Sequence, residues 1–197
     1  MSATETIIDL TAHRPRRADA LRNYEKLVAA AREAFAQDGP SASLEEIARR
    51  AQVGIGTLYR NFPNRQSLLE AVYLDELEAV CRSAADFAEL PPWDAFVSWM
   101  HRFVDYLGTK QALAQELLNY VDRDAVLFKS CRSELYAAGE PLLARAQEAG
   151  VVRPDTNLIE IIQMVGGIAK IPSVAPQQID HILDMALDGL RHSPPGP

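Results

Sequence analysis

The sequence predicts an all-α protein, and three observations predict it. Apolar residues recur at spacings of three and four along almost the whole chain after residue 19. The interruptions between these runs carry Gly, Pro or a capping side chain, and no alternating apolar and polar run bounded by hairpin turns appears. At 197 residues and 48% hydrophobic content, the chain can bury a core and suits one or two domains. It has no repeat at a solenoid period and no low-complexity tract beyond its Ser-Pro-Pro-Gly-Pro tail at 193–197.

The elements follow in chain order. Residues 1–19 mix Thr, Ala and charges without a period and end in His13-Arg14-Pro15-Arg16-Arg17, the composition of a flexible basic arm. Tyr24, Leu27, Val28, Ala31, Ala34 and Phe35 then form one stripe on a first helix at 20–37, which Gly39-Pro40 stops. Ser43-Leu44-Glu45-Glu46 has the form of a capping box, in which the Ser hydroxyl accepts from the amide three residues on and Glu46 reaches back. The second helix starts there and buries Leu44, Ile47, Ala48 and Ala51. Gln52-Val53-Gly54 interrupts it as a tight, Gly-containing turn, and Ile55–Asn61 forms a third helix. Pro63-Asn64 ends that helix, and Asn64 caps a fourth, lined by Leu68, Leu69, Val72, Tyr73, Leu77 and Val80 toward Cys81. After Pro91-Pro92, helices are predicted at 93–107, 111–120, 124–149, 156–171 and 177–191. Gly108, Asp122, Gly150 with Pro154, and Pro172 with Pro176 separate them.

The formal charge of -7 conceals a polarised chain. Residues 14–65 hold ten Lys/Arg against six Asp/Glu, whereas residues 66–197 hold ten against nineteen. A basic head followed by an acidic body is compatible with nucleic-acid binding, which depends on a local basic surface and not on the sum. Cys81 and Cys131 stand in no paired spacing with another Cys or a nearby His, so reduced thiols are expected, with neither a disulfide framework nor a zinc site. No apolar run approaches the ~20 residues of a membrane span, and a cytoplasmic protein with no membrane partner is expected.

Two short helices joined by a tight turn and preceded by a supporting helix are the parts of a helix-turn-helix, whose second helix enters the DNA major groove. Ile55–Asn61 would be that second helix. Gly54 and Gly56 remove side chains where a backbone must approach DNA closely, while Thr57, Tyr59 and Asn61 carry groups that hydrogen-bond phosphates or base edges. Leu58, Phe62 and Val53 would anchor the helix in a small core. Arg49 and Arg60 read either as DNA contacts or as solvated charges, and Arg50 reads as a solvated charge. Ser43 reads as a cap and a phosphate contact together. For the arm arginines Arg14, Arg16 and Arg17, minor-groove insertion and disorder both stay open.

The run Leu44-Glu45-Glu46-Ile47-Ala48-Arg49-Arg50-Ala51-Gln52-Val53-Gly54-Ile55-Gly56-Thr57-Leu58-Tyr59-Arg60-Asn61-Phe62-Pro63-Asn64-Arg65, continuing to Leu69, resembles the tetracycline-repressor (TetR) family. The resemblance covers residues 20–80. It implies that Thr57 and Tyr59 touch the DNA backbone, that Ile55 and Gly56 face base edges, and that Ser43 and Arg65 grip flanking phosphates. Two positions depart from the family's common form: Asn61 stands where His is frequent, and Ile55 stands where polar residues often read bases, which suits contact with a thymine methyl. The implied architecture is an N-terminal three-helix helix-turn-helix DNA-binding domain at 20–66 and a C-terminal helical ligand-binding and dimerisation domain at 67–192. The implied function is that of a sequence-specific transcriptional regulator, a repressor released from its operator by a small-molecule ligand.

Readers of this kind act as dimers on half-sites about 34 Å apart or a multiple of it, so a homodimer on a palindromic double-stranded DNA operator is expected. The last two helices offer the surface for it: Ile159, Ile162, Met164, Val165, Gly166, Gly167, Ile168, Ile179, Ile182, Leu183, Met185, Ala186 and Leu190 divide between that contact and core filling. The resemblance also implies an unidentified small-molecule effector in the body, for which Trp99, Phe103, Tyr106, Tyr120, Phe128 and Met164 are the candidate lining. An enzyme is not expected, and neither a catalytic residue nor a cofactor or metal site is assigned. The chain lacks the carboxylate and His spacing of a di-metal bundle, a Gly-rich phosphate loop and a nucleophile elbow. The alternative is a DNA-binding regulator or architectural protein with no effector.

Overall fold

Helices account for nearly all regular structure in the computed structural model, which describes residues 14–15, 17–120, 126–172 and 175–192. Among these residues there are eight α-helices and no β-strand: α1 (Ala18–Asp38), α2 (Leu44–Arg50), α3 (Ile55–Asn61), α4 (Arg65–Asp86), α5 (Pro92–Leu117), α6 (Val126–Glu148), α7 (Leu158–Ile168) and α8 (Pro176–Asp188). Most of the arm, including Arg16, the predicted separator Asp122 and the tail at 193–197 lie outside the described residues. None of the described helices is long and apolar enough to cross a membrane.

The described residues form two compact units, one from those up to Glu78 and those between 109 and 131, the other from 79–108 and those from Arg132 onward. In the first unit, α1 packs against α2 and α3, and α2 against α3. The predicted stripe of α1 is its buried face, with Ala30 added. Gly39 ends the helix at φ +53°, and its N–H donates to the Phe35 carbonyl. Leu27, Ile47, Leu58, Leu68 and Leu69 are fully buried, and the Tyr24 ring lies 5.1 Å from that of Phe62. Charge also ties α1 to α4. Arg32 pairs with Asp75 and with buried Glu76, while Arg14 donates to Asp75 at 2.8 Å and to Glu78 at 2.6 Å. A buried carboxylate needs such a partner, because its lost hydration is otherwise uncompensated.

In the second unit, Phe96, Trp99, Met100 and Tyr106 of α5 are fully buried, as are Val165 of α7 and Leu183 of α8. The Trp99 indole N–H donates to the Val80 carbonyl at 3.1 Å. Asn157 and Glu160 form a reciprocal capping box at the start of α7.

The structure corrects several sequence expectations. Gly108 does not divide the chain, because α5 runs unbroken from Pro92 to Leu117. One exposed Gly costs a helix about 1 kcal/mol against Ala, and buried Phe103, Val104 and Tyr106 before it and Leu113 and Leu117 after it outweigh that. α4 continues past Cys81 to Asp86, since Val80, Ser83 and Ala84 keep a buried face. α7 and α8 are shorter at both ends or at one end than the periodic pattern, closing at Ile168 and Asp188.

Candidate nucleic-acid interface

The helix-turn-helix is built by local hydrogen bonds. Ser43 caps α2, its Oγ accepting from the Glu46 amide at 3.3 Å, but the predicted box is one-sided. The Glu46 carboxylate is drawn the other way, accepting from Arg49 Nε at 2.7 Å and Arg50 Nε at 2.8 Å. Hydrogen bonds from Arg49 and then Arg50 pull its carboxyl down to about 2. The Ser43 hydroxyl donates instead to Glu45 Oε2 at 2.9 Å. Arg50 is therefore not a plain solvated charge. It is half-buried and also donates to Gln37 Oε1 at 2.9 Å, so it fastens α2 to the end of α1.

The turn between α2 and α3 falls at the expected Gln52-Val53-Gly54 break. Within it Gln52 takes the left-handed conformation, at φ +57°. Its N–H donates to the Arg49 carbonyl at 3.1 Å and that of Val53 to the Ala48 carbonyl at 3.0 Å, the bond pattern of a Schellman motif. Gly54 is the N-cap of α3 at φ -68°, a conformation open to any residue. A Cβ built on Gly54 or Gly56 meets no heavy atom within 4 Å. Neither backbone conformation nor internal packing therefore calls for glycine at these two positions, and both lie on open surface.

α3 is two-sided. Leu58 is fully buried and Phe62 nearly so, which seats the helix in the core. Gly54, Ile55, Gly56, Tyr59 and Arg60 are exposed, Ile55 at 39% and Tyr59 at 46%, and Thr57 and Asn61 are half-buried. An Ile and a Tyr left in water on one short helix form an apolar and polar surface that folding does not use. The polar groups are pre-oriented by bonds within the helix: Arg60 Nη2 donates to Thr57 Oγ1 at 2.8 Å, and Asn61 Nδ2 donates to the Thr57 carbonyl at 2.8 Å. Asn64 Oδ1 accepts from the Ser67 amide at 2.9 Å and so caps α4, as predicted.

Ser43 lies exposed at the start of α2, whereas Arg65, at the start of α4, is turned inward. Its guanidinium donates to Glu116 Oε1 at 3.1 Å and to the carbonyls of Ala42 and Gly39, and rests 5.0 Å over the Phe35 ring. Arg14 of the basic arm is held by Asp75 and Glu78.

The six candidate effector residues divide between the units. Trp99, Phe103 and Tyr106 are buried along α5, with ring centroids 6.2 Å apart in succession, and Met164 is half-buried on α7 of the same unit. In the other unit, Tyr120 is exposed, and Phe128 meets Tyr73 edge-on at 5.5 Å. A separate open cleft of about 400 Å³ in the second unit is lined by Arg153, Pro154, Asp155, Arg191 and His192, which the sequence does not single out. Among the described residues, no cluster of three His, Cys, Asp or Glu is placed to hold a metal ion.

Comparison with known proteins adds a second line of observation. Residues 27–72 match the family model described as bacterial regulatory proteins, tetR family, and residues 91–192 match the one described as transcriptional regulator SbtR-like, C-terminal domain. A TetR transcriptional regulator from Streptomyces coelicolor is 38% identical and superposes with a TM-score of 0.77 over 87% of this chain and 99% of its own. A TetR transcription regulatory protein from Mycobacterium vanbaalenii is 32% identical with a TM-score of 0.75, over 90% and 99%. The HTH-type transcriptional regulator UidR of Escherichia coli is 28% identical over 140 residues, 67% of this chain and 70% of its own.

Proposed function

Given that the chain belongs to the tetR family of bacterial regulatory proteins and is a DNA-binding transcriptional regulator, not an enzyme, we propose that α3 is the element that reads its operator. The observation that carries this reading is the two-sidedness of α3, with Leu58 in the core and Ile55, Gly56 and Tyr59 on the outside. In this reading Thr57 and Tyr59 bond backbone phosphates, Ile55 and Gly56 lie against base edges, and Ser43, Arg60 and Asn61 flank them. Ile55 suits a thymine methyl, and an unsubstituted Gly56 lets the helix backbone come close.

The test begins with duplexes that the full-length protein selects from random DNA. Thr57→Ala and Tyr59→Ala are each expected to weaken binding to the selected duplex about tenfold or more, equivalent to the ~1–3 kcal/mol of a specific contact, at unchanged helicity. Unaltered binding, or loss of folding in its place, would overturn the assignment.

Members of this family usually act as dimers, and we assign the contact to α7 and α8. Ile159 and Met185 are 49% and 55% exposed there, while their neighbours Val165 and Leu183 are buried. Two such heads would face successive major grooves of a palindromic site. Met185→Asp is expected to convert a dimer into a monomer in analytical ultracentrifugation, and an unchanged sedimentation coefficient would reassign the interface.

Repression relieved by a small molecule completes the proposal, with the match of residues 91–192 to a regulator's C-terminal domain as its support. A ligand releases DNA only if it binds the two states of the protein unequally. One observation favours the alternative with no effector: Trp99, Phe103 and Tyr106 are already sealed in the core. A compound that raises Tm and lowers operator affinity decides for the effector.

A further inference from the structure

Arg65 stands where the resemblance places a phosphate grip, yet four residues from three parts of the first unit converge on its guanidinium. Phe35 of α1 lies beneath it, the Gly39 and Ala42 carbonyls before α2 accept from it, and Glu116 of α5 pairs with it at 3.1 Å. The two paired side chains are only 20% and 9% exposed. A planar fork is what lets one cation address two carbonyls and a carboxylate while lying over an aromatic ring, and an ammonium does not reproduce that arrangement. Ala42 immediately precedes the cap of α2, so this cation fixes where the α2 and α3 pair begins relative to α4. To grip a phosphate, Arg65 would leave Glu116 sheltered and unpaired, and the phosphate would meet that carboxylate.

We propose that Arg65 and Glu116 are positioning residues for operator recognition: together they hold the start of the helix-turn-helix against α4, and Arg65 does not grip DNA. The inference rests on the reading that α3 faces the duplex. It accounts for a buried carboxylate and a half-buried cation that sit 51 positions apart in the chain.

The experiment measures binding by fluorescence anisotropy across a KCl series. Its probes are a duplex selected by the full-length wild-type protein and poly(dI-dC) as a non-cognate duplex. The variants are Arg65→Lys, Arg65→Ala, Glu116→Gln, the Arg65→Lys/Glu116→Gln pair, and Thr57→Ala. Arg65→Lys keeps the charge and is expected to weaken the selected duplex about tenfold. Glu116→Gln is expected to weaken it too, with the pair no weaker than Arg65→Lys alone, because both act through one joint. Binding to poly(dI-dC) and the salt slope stay at wild-type values in every Arg65 and Glu116 variant.

A phosphate grip would behave oppositely. Lysine would rescue, Arg65→Ala would lower the log–log salt slope by about 0.9, and Glu116→Gln would tighten binding to both duplexes by removing a negative charge. That pattern overturns the proposal. So does a parallel fall of Tm and of binding to both duplexes, which marks a role in folding alone. If Thr57→Ala binds like wild type, the reading of α3 fails by itself, and the Arg65 and Glu116 variants still report whether the joint sets specificity.

Discussion

Tyr59 on α3 and Trp99 on α5 are both aromatic residues at helical spacing, and their surroundings are opposite. Tyr59 is left 46% exposed beside an exposed Ile55, with Leu58 holding the other side of the helix in the core. Trp99 is wholly enclosed. Its N–H is satisfied by the Val80 carbonyl, and its ring occupies the space where a Gly139 side chain would begin, a Cβ there falling 2.3 Å from the ring. The difference separates two kinds of glycine as well. Gly139 is required by a neighbour inside the chain, and Gly54 and Gly56 by none. An aromatic group that folding has matched atom by atom belongs to stability, and one that folding leaves in water is available to a partner.

The largest expected effect tests that contrast directly. Trp99→Ala should lower stability to urea by about 3–5 kcal/mol, as truncation of a buried Trp does. Gly139→Ala should cost about 1–3 kcal/mol through overpacking. Tyr59→Ala should stay within about 0.5 kcal/mol of wild type. Equal losses for Tyr59→Ala and Trp99→Ala would erase the distinction.

The caps sharpen it at a smaller scale. Asn157→Ala breaks a reciprocal box and should cost about 1 kcal/mol by thermal unfolding. Ser43→Ala should cost less, because only one bond of its box is formed and the Glu46 carboxylate stays with its arginines. A Ser43→Ala loss exceeding that of Asn157→Ala would show that the box closes in solution.

Gln52→Gly should raise stability by about 1 kcal/mol, since glycine enters the left-handed region without the Cβ conflict. A loss would mean that the Gln52 side chain makes a contact worth more than the strain. The smallest effect is one of pH. The Glu46 carboxyl is lowered from its ordinary 4.5 to about 2 by Arg49 and Arg50. A depressed carboxylate stabilises the fold fully above 4.5 and loses that contribution as pH falls from there through about 2. Glu46→Gln should therefore flatten acid unfolding slightly within that window, and an identical profile would show that the bonds contribute nothing on this exposed surface.

The fold class and the family were legible in the chain because both rest on short-range pattern. The stripe from Tyr24 to Phe35, the Ser43 and Asn64 caps, and the bounds of α3 each depend on residues within four or so positions of one another. Misreadings arose where two local signals competed. Gly108 looked like a boundary, but the buried residues on both sides of it carried the helix through. Within the Gln52-Val53-Gly54 turn, composition did not single out Gln52 as the left-handed residue that the Schellman bonds close around. The capping box at Asn157 and Glu160 carried a readable signal that the periodic reading passed over.

By itself, the sequence determined which segments are helical, which face of α1 is apolar, and that residues 44–61 form two short helices, because helix hydrogen bonds and caps are closed by near neighbours. Only the tertiary structure decided what the charges do. Arg14 finds Asp75 from 61 positions away, Arg32 reaches Asp75 from 43, and Arg65 meets Glu116 from 51. A count of basic residues cannot tell a cation aimed at solvent from one spent on a distant carboxylate, since pairing depends on which helices are brought side by side.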